Sequence, residues 1–207
     1  KETIVASKNI RFEGDGYSDE WKQEAAQRGL TNISHVPMAI MKFCDDKAKE
    51  VLIGEKIFNE SELNCRVEVE LEKYTKKVQI ESRVLGDMAI NHIVPTAVIY
   101  QNRLLENLRG LRETFSAEEY EFLGADRREL VKEIQHRILD IKRLVREMTE
   151  ARKISNHLGS QVEKAFSYEE RVSPYLHEIR EHIDHLELEI DDEIWPLPKY
   201  RELLFTK

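Results

Sequence analysis

The chain has 207 residues, 35% of them charged and 8% aromatic, and its formal net charge is −8. That balance argues against a nucleic-acid binder, which needs a basic face, and against adhesion to an anionic bilayer. No apolar run approaches the roughly 20 residues of a membrane-crossing helix.

With 8 Gly and 5 Pro, the chain is rich in Glu, Lys, Arg and Leu, which favours long amphipathic helices over sheets. The length allows one domain with a core, or one domain plus part of another. The chain starts at Lys1 with no initiator Met, and so reads as a cut piece or a processed chain; no signal peptide opens it. Cys44 and Cys65 lack a CxxC partner. They read as ordinary buried or half-buried thiols in a reducing cytoplasm.

The first 57 residues are irregular. Ile4–Phe12 reads as a short strand or extended segment, and the GDG at Gly14–Gly16 as a turn. A short helix follows, capped by Ser18 and stopped at Arg28-Gly29. Pro37 opens a second, with Met38, Ile40, Met41 and Phe43 as its apolar residues.

From Asn59 the pattern is helical. Asn59 to Glu62 forms a capping box, and Phe58 and Leu63 a hydrophobic staple. Leu63, Val67, Leu71, Tyr74, Val78, Leu85 and Met88 then recur at one-face spacing, and the pattern runs on to Leu108 with Gly110 near its end. About 50 such residues make a helix of roughly 75 Å. Pro95 interrupts it three residues after His92. A kink is expected there, with polar side chains serving the carbonyl freed near Asn91.

Ser116 to Glu119 is a second capping box, with Phe115 and Tyr120 as its staple, and Gly124 interrupts. Helix restarts at Asp126, with Ile134, Ile138, Ile141, Val145 and Met148 as a heptad seam. The third long element starts at Ser173-Pro174, or at Ser160 with a kink at Pro174. Its seam is Leu176, Ile179, Ile183, Leu186 and Ile190. Pro196 and Pro198 forbid helix after that.

The expected fold is mainly α: a long, antiparallel, coiled-coil-like bundle with a small irregular or mixed N-terminal segment. Val67, Tyr74, Val78, Ile138, Ile141, Val145, Ile179, Ile183 and Leu186 are the expected packing residues. Trp195 and Tyr200 are the expected anchors of the tail.

Candidate chemistry is sparse. His177, Glu181 and His185 share one helix side near His182, and Glu133 with His136 makes one Glu-x-x-His step. A bundle di-metal site needs two such steps and two further glutamates pointing inward, and here the seam already takes the inward positions. A solvated, salt-bridged face is expected instead. EGDGYS lacks the context of a phosphate loop, and no G-x-S-x-G elbow is present. The Asn-x-Ser sequons at Asn32 and Asn59 have no meaning without secretion. No catalytic, cofactor-binding or metal residue is assigned.

Three pieces together are more specific: NIRFEGDGYSDEWKQEAAQRGL, ESRVLGDMAINHIVPTAVIYQN and DDEIWPLPKYRELLF. In this order they resemble the C-terminal portion of the long-chain, type III glutamine synthetases, with the likeness spread over nearly the whole chain. The resemblance implies a parent ligase that joins ammonia to glutamate through a γ-glutamyl phosphate, using ATP and Mg or Mn. It implies cytoplasmic homo-oligomers of stacked rings, commonly dodecamers, with the active site upstream. Residues 1–57 would then be the end of the catalytic domain and 58–207 a helical extension, inactive alone and serving structure or oligomerisation. The rival readings are a coiled-coil interaction module with an acidic face, and a metal-carboxylate bundle.

Overall fold

Asn59 starts the dominant element through reciprocal capping. Its side chain accepts from the Glu62 N–H at 2.9 Å, while the Glu62 carboxylate accepts from the Asn59 N–H at 2.8 Å. Two otherwise unpaired backbone donors at the helix start are thereby satisfied. The computed structural model describes residues 1–8 and 11–205, with Tyr200 and Arg201 described by backbone alone.

In chain order the elements are α1 (Glu2–Ala6), α2 (Asp19–Gln27), α3 (Val36–Met41), a 3-10 turn (Lys42–Cys44), α4 (Asp46–Gly54), α5 (Glu60–Met88), a π-turn (Ala89–Ile93), α6 (Val94–Thr114), α7 (Ala117–Leu123), α8 (Ala125–Asn156), α9 (Gln161–Arg171), α10 (Ser173–Glu189) and α11 (Tyr200–Leu203). No strand occurs among the described residues. The extended segment expected at Ile4–Phe12 is instead helical at its start. Its acidic residue Glu2 lies in the first turn of α1, and Arg11 reaches back to the Ile4 carbonyl at 2.6 Å. Asn9 and Ile10, which fall in that expectation, lie outside the described residues.

α5, the π-turn and α6 form one helical run of 55 residues. It passes the expected stop near Gly110 and ends at Thr114. Pro95 neither breaks it nor restarts it. The Val94 N–H donates to Ala89 O, five residues back, so the ladder widens by one residue immediately before the proline. Pro95 therefore lies in the first turn of α6, where its missing donor costs little. The polar side chains do serve this stretch, one residue further along than expected: Thr96 Oγ1 donates to the His92 carbonyl at 2.9 Å.

The chain turns back through α7, capped by the Ser116–Glu119 box. Gly124 joins α7 to α8 at a close approach. A Cβ there would lie 3.0 Å from Tyr120 O and 3.2 Å from Leu108 Cδ2, so no larger residue fits without a shift. α8 then runs antiparallel to the long helix. Gln101 pairs with Val131, Gly86 meets Met148 and Ser82 meets Arg152. α9 and α10 return in the direction of α5, with Tyr74 bonded to Glu169 and Arg103 to Asp191 at opposite ends. The third long element is thus two helices. Ser160 is the N-cap of α9, and Val172 separates it from α10, which carries Pro174 in its first turn.

The main core lies where the three arms meet. Ile134, Ile138, Ile141, Leu144 and Met148 of α8 face Ile179, Ile183 and Leu186 of α10 and a narrower stripe on the long helix. Leu144 rather than Val145 takes the innermost place on α8, and Val145 packs beside it. The stripe on the long helix is not the one through Leu85 and Met88 expected after Val78. It reads Ser82, Gly86, Ala89, Ile93 and Ala97, all buried, with Leu85 at the edge and Met88 half-buried. Small residues let α8 approach closely. A Cβ on Gly86 would sit 3.4 Å from Val145 Cγ1 and 3.5 Å from Met148 Cε.

Ile190 and Trp195 cap the end of this core, and Lys199 donates to Glu187 O at 2.8 Å, which holds the tail down. Trp195 thus anchors the tail as expected, while the side chain of Tyr200 lies outside the described residues. A smaller core joins the N-terminal segment to the bundle. Ile40, Met41 and Cys44 pack on Val67, Leu71 and Ala165, and Pro37 is fully buried. Ser18 caps α2 by accepting from the Trp21 N–H at 3.2 Å, and Gly29 ends it at φ +71°.

Two substitutions test the close packing. Gly86→Ala adds a methyl at ordinary contact distance and removes the helix penalty of glycine, so it should stabilise by about 0.5–1 kcal/mol. Gly86→Leu should cost about 1–3 kcal/mol by overpacking. Urea unfolding at constant m-value reads both, and equal signs would contradict the close approach. Ile141→Ala should cost about 2–5 kcal/mol, against less than about 0.5 for Leu139→Ala on the exposed side of the same helix.

Candidate functional site

The sequence candidates do not come together. His177, Glu181 and His185 are exposed on the outer side of α10, along a shallow surface groove shared with Arg180, Asp184 and Leu188. Arg180 and Asp184 pair there at 3.1 Å. On α8, Glu133 is engaged by Arg137 at 2.6 Å and His136 is exposed. Among the described residues no group of three His, Cys, Asp or Glu side chains converges on a point where a metal ion would sit. His182 is half-buried, and its Nδ1 lacks a hydrogen-bond partner.

In the GDG turn, Asp15 Oδ1 accepts from the Tyr17 N–H at 2.9 Å, which is turn chemistry. Cys44 is half-buried in the smaller core, as expected. Cys65 is exposed, contrary to the expectation, because it lies on the outer face of α5, between the buried positions Leu63 and Val67.

The structure instead joins residues far apart in sequence. His35, at the N-cap of α3, lies with Nδ1 2.7 Å from Glu169 Oε1 on α9. The other oxygen of Glu169 accepts a short hydrogen bond from the Tyr74 hydroxyl on α5. The Glu169 side chain is 18% exposed, so both of its oxygens are engaged in a largely dry position. Burial pushes the Tyr74 phenol well above its ordinary pKa, and the hydrogen bond and charge of Glu169 push it further. A phenol so held is a donor to the carboxylate and no nucleophile. Tyr74 and Glu169 line a cleft with Val36, Ile40, Lys73 and Ser173. The cluster works as a clasp that fastens the N-terminal segment to the bundle through one carboxylate.

A second polar cluster lies further along α5. Gln79 Nε2 donates to Asn156 Oδ1 at 3.2 Å, and the Tyr168 hydroxyl donates to the same oxygen at 2.8 Å. Next to it, Arg152 Nη1 lies 3.5 Å from Ser82 Oγ. Burial lowers the pKa of Arg152, and the Arg83 charge adds to that effect. Burial also raises that of Tyr168. Neither cluster carries a local sequence signature, since His35 and Glu169 are 134 residues apart and Tyr74 and Glu169 are 95 apart.

Comparison with known proteins places the chain among large relatives. The family model described as "Glutamine synthetase C-terminal domain" matches residues 1–112. A protein of Bacteroides fragilis (strain YCH46) named glutamine synthetase is 73% identical over 207 residues, covering 100% of this chain and 28% of the relative. A type-3 glutamine synthetase of Dictyostelium discoideum is 28% identical over 213 residues, again 100% of this chain and 28% of the relative. A glutamine synthetase of Butyrivibrio fibrisolvens is 27% identical over 206 residues, with 100% and 29% covered. The chain therefore spans less than a third of the length of these relatives.

The clasp predicts an alkaline instability. A folded-state pKa raised above 10.0 means the stability tied to Tyr74 is fully present below pH 10 and is lost as pH rises through the higher folded value. Tyr74→Phe should cost about 1 kcal/mol at neutral pH by removing the hydrogen bond, and it should flatten the fall in stability above pH 10. Urea midpoints from pH 8 to 11 on both proteins check this; parallel curves would contradict it.

Proposed function

Since this chain belongs to the glutamine synthetase C-terminal domain family, we propose that it is the helical closing part of a type III glutamine synthetase and serves the architecture of that enzyme. The observation that carries this is the 73% identity along the whole chain to a glutamine synthetase more than three times its length. In the parent, the ATP-dependent ligation of ammonia to glutamate, with Mg or Mn, belongs to the remaining polypeptide. Residues 1–57 are the end of the catalytic domain and 58–207 the helical extension, with α3 and the clasp at Glu169 fastening one to the other. The protein is cytoplasmic. Its partners are further copies of the same subunit in a ring-stacked homo-oligomer of dodecamer type, without nucleic acid or membrane.

The physical support for a structural role is the unpartnered apolar surface of the long helix. Ile80, Val84, Val98 and Ile99 are exposed over a stretch where a monomer of three arms covers only one side. Among the described residues no helix is long and apolar enough to cross a membrane, so that surface is not a membrane span. Neither the adaptor reading nor the metal-carboxylate reading is favoured by a site in the structure.

Two measurements test the proposal. The isolated 207-residue chain should release no phosphate from ATP in the presence of glutamate and ammonia, whereas the full-length protein should turn over. Glutamine formation by the isolated chain would overturn the assignment. Light scattering of the full-length protein should give a defined ring-sized oligomer. Replacing Ile80, Val84, Val98 and Ile99 together by Ser should shift it towards smaller species while circular dichroism stays helical, and an unchanged oligomer would place the subunit contacts elsewhere.

A further inference from the structure

The far end of the bundle carries a cleft with an apolar floor and a basic rim. α6, α7 and α8 enclose about 350 Å³ there, with Leu105, Leu108 and Val131 as the floor and the Tyr120 ring as one wall. The charged residues that line it are all cations: Arg109, Arg112, Arg128 and Lys132. Two of these are committed within the chain. Arg128 pairs with Glu121 at 2.7 Å and lies over the Tyr120 ring, and Lys132 pairs with Glu129 at 3.3 Å. Arg109 and Arg112 make no ion pair among the described residues, although Glu106 and Glu113 share their helix. Uncommitted cations beside open apolar surface fit an occupant that brings a hydrophobic side chain and carboxylates together.

Such a group is present on the chain itself. α10 ends in Glu187-Leu188-Glu189, and Ile190, Asp191, Asp192 and Glu193 follow, five carboxylates in seven residues. A helix C-terminus is the negative end of the macrodipole, where cations stabilise and acids do not. The last turn of α10 nevertheless holds no basic residue. Asp191 pairs with Arg103, and Lys199 reaches Asp192. Glu187, Glu189 and Glu193 make no ion pair among the described residues. In their midst Leu188 is 81% exposed. The stretch thus presents a bare leucine among unmatched acids, at a place where the helix itself disfavours them.

We infer that Leu188 of one copy of this chain seats in the cleft of Leu105, Leu108 and Val131 on a second copy, with Glu189 and Glu193 facing Arg109 and Arg112 there. This rests on the homo-oligomeric reading above and names a contact in that assembly, separate from the surface of Ile80, Val84, Val98 and Ile99. Charge decides the occupant. The chain as a whole carries −8, so two copies repel unless a basic patch of one meets an acidic patch of the other. The cleft is such a basic patch, and the end of α10 is its acidic complement. Position allows the contact to be reciprocal. Asp191 meets Arg103 at 3.2 Å, two residues before Leu105, so the leucine and the cleft lie toward the same end of the bundle. Two copies facing each other at that end exchange the contact twice, as a two-fold interface requires. The leucine is the anchor, and the exposed ion pairs orient it and make it sensitive to salt.

The test is sedimentation of the full-length protein over a dilution series at low and high salt, with circular dichroism to show that each variant stays helical. Every substitution is at an exposed position. Leu188→Ser should raise the dissociation constant of the oligomer at least about tenfold, and Arg109→Glu with Arg112→Glu should do the same. High salt should weaken the wild-type protein in the same direction. Glu189→Lys with Glu193→Lys should also weaken association, and all four charge reversals in one chain should restore it, which a purely local role of either patch would not produce. A wild-type oligomer indifferent to Leu188→Ser and to the charge reversals overturns this contact and leaves the homo-oligomeric reading standing. A wild-type protein that stays monomeric overturns both. Weakening without recovery in the four-fold variant overturns the contact as well, because the cleft then takes a segment other than the end of α10.

Discussion

The close approach of α8 to the long helix is the constraint on which the rest of this structure depends. Two helices can bring their backbones together only where side chains are small, and the long helix supplies Ser82, Gly86, Ala89 and Ala97 in its central section. Into that shallow stripe fit Ile141, Leu144 and Met148, each no more than 1% exposed. Their bulk comes from one side and the space from the other, which is how native packing density is reached without voids. Because the third arm packs against the same α8 residues, a change in this spacing would move Ile179, Ile183 and Leu186 as well.

The π-turn before Pro95 is part of the same solution. A proline in a regular helix interior leaves a carbonyl unpaired and clashes with the preceding turn. Widening the ladder over Ala89–Ile93 places the proline in a first turn while the helix continues, and Ala89 and Ile93 stay fully buried on either side of His92. The long helix then meets different neighbours along its length. α3 and α9 cover its first part, and α8 and α7 its second. A single helical run thus connects the N-terminal segment to the far end of the bundle.

The polar groups of the interior arrange themselves around this frame. Ser155 and Ser167 bond to each other at 2.8 Å where α8 and α9 meet, so their hydroxyls are matched inside the protein. Glu169 has both oxygens occupied by His35 and Tyr74.

What the sequence determined by itself was local in origin. The capping boxes at Asn59 and Ser116 act over three residues, and the apolar steps of Ile134 to Met148 and Leu176 to Ile190 follow the helical period. Helix positions, the antiparallel bundle and the helical content were legible for that reason, and the three quoted motifs carried the family. The structure alone decided which stripe of the long helix faces inward, because Gly86 and Ser82 count as core only once Val145, Met148 and Arg152 are opposite them. It alone joined His35 to Glu169 across 134 residues and Gln79 to Asn156 across 77. Such pairs have no periodicity to betray them: the register between arms is set by the fit of side chains from separate helices, and no single segment encodes that fit.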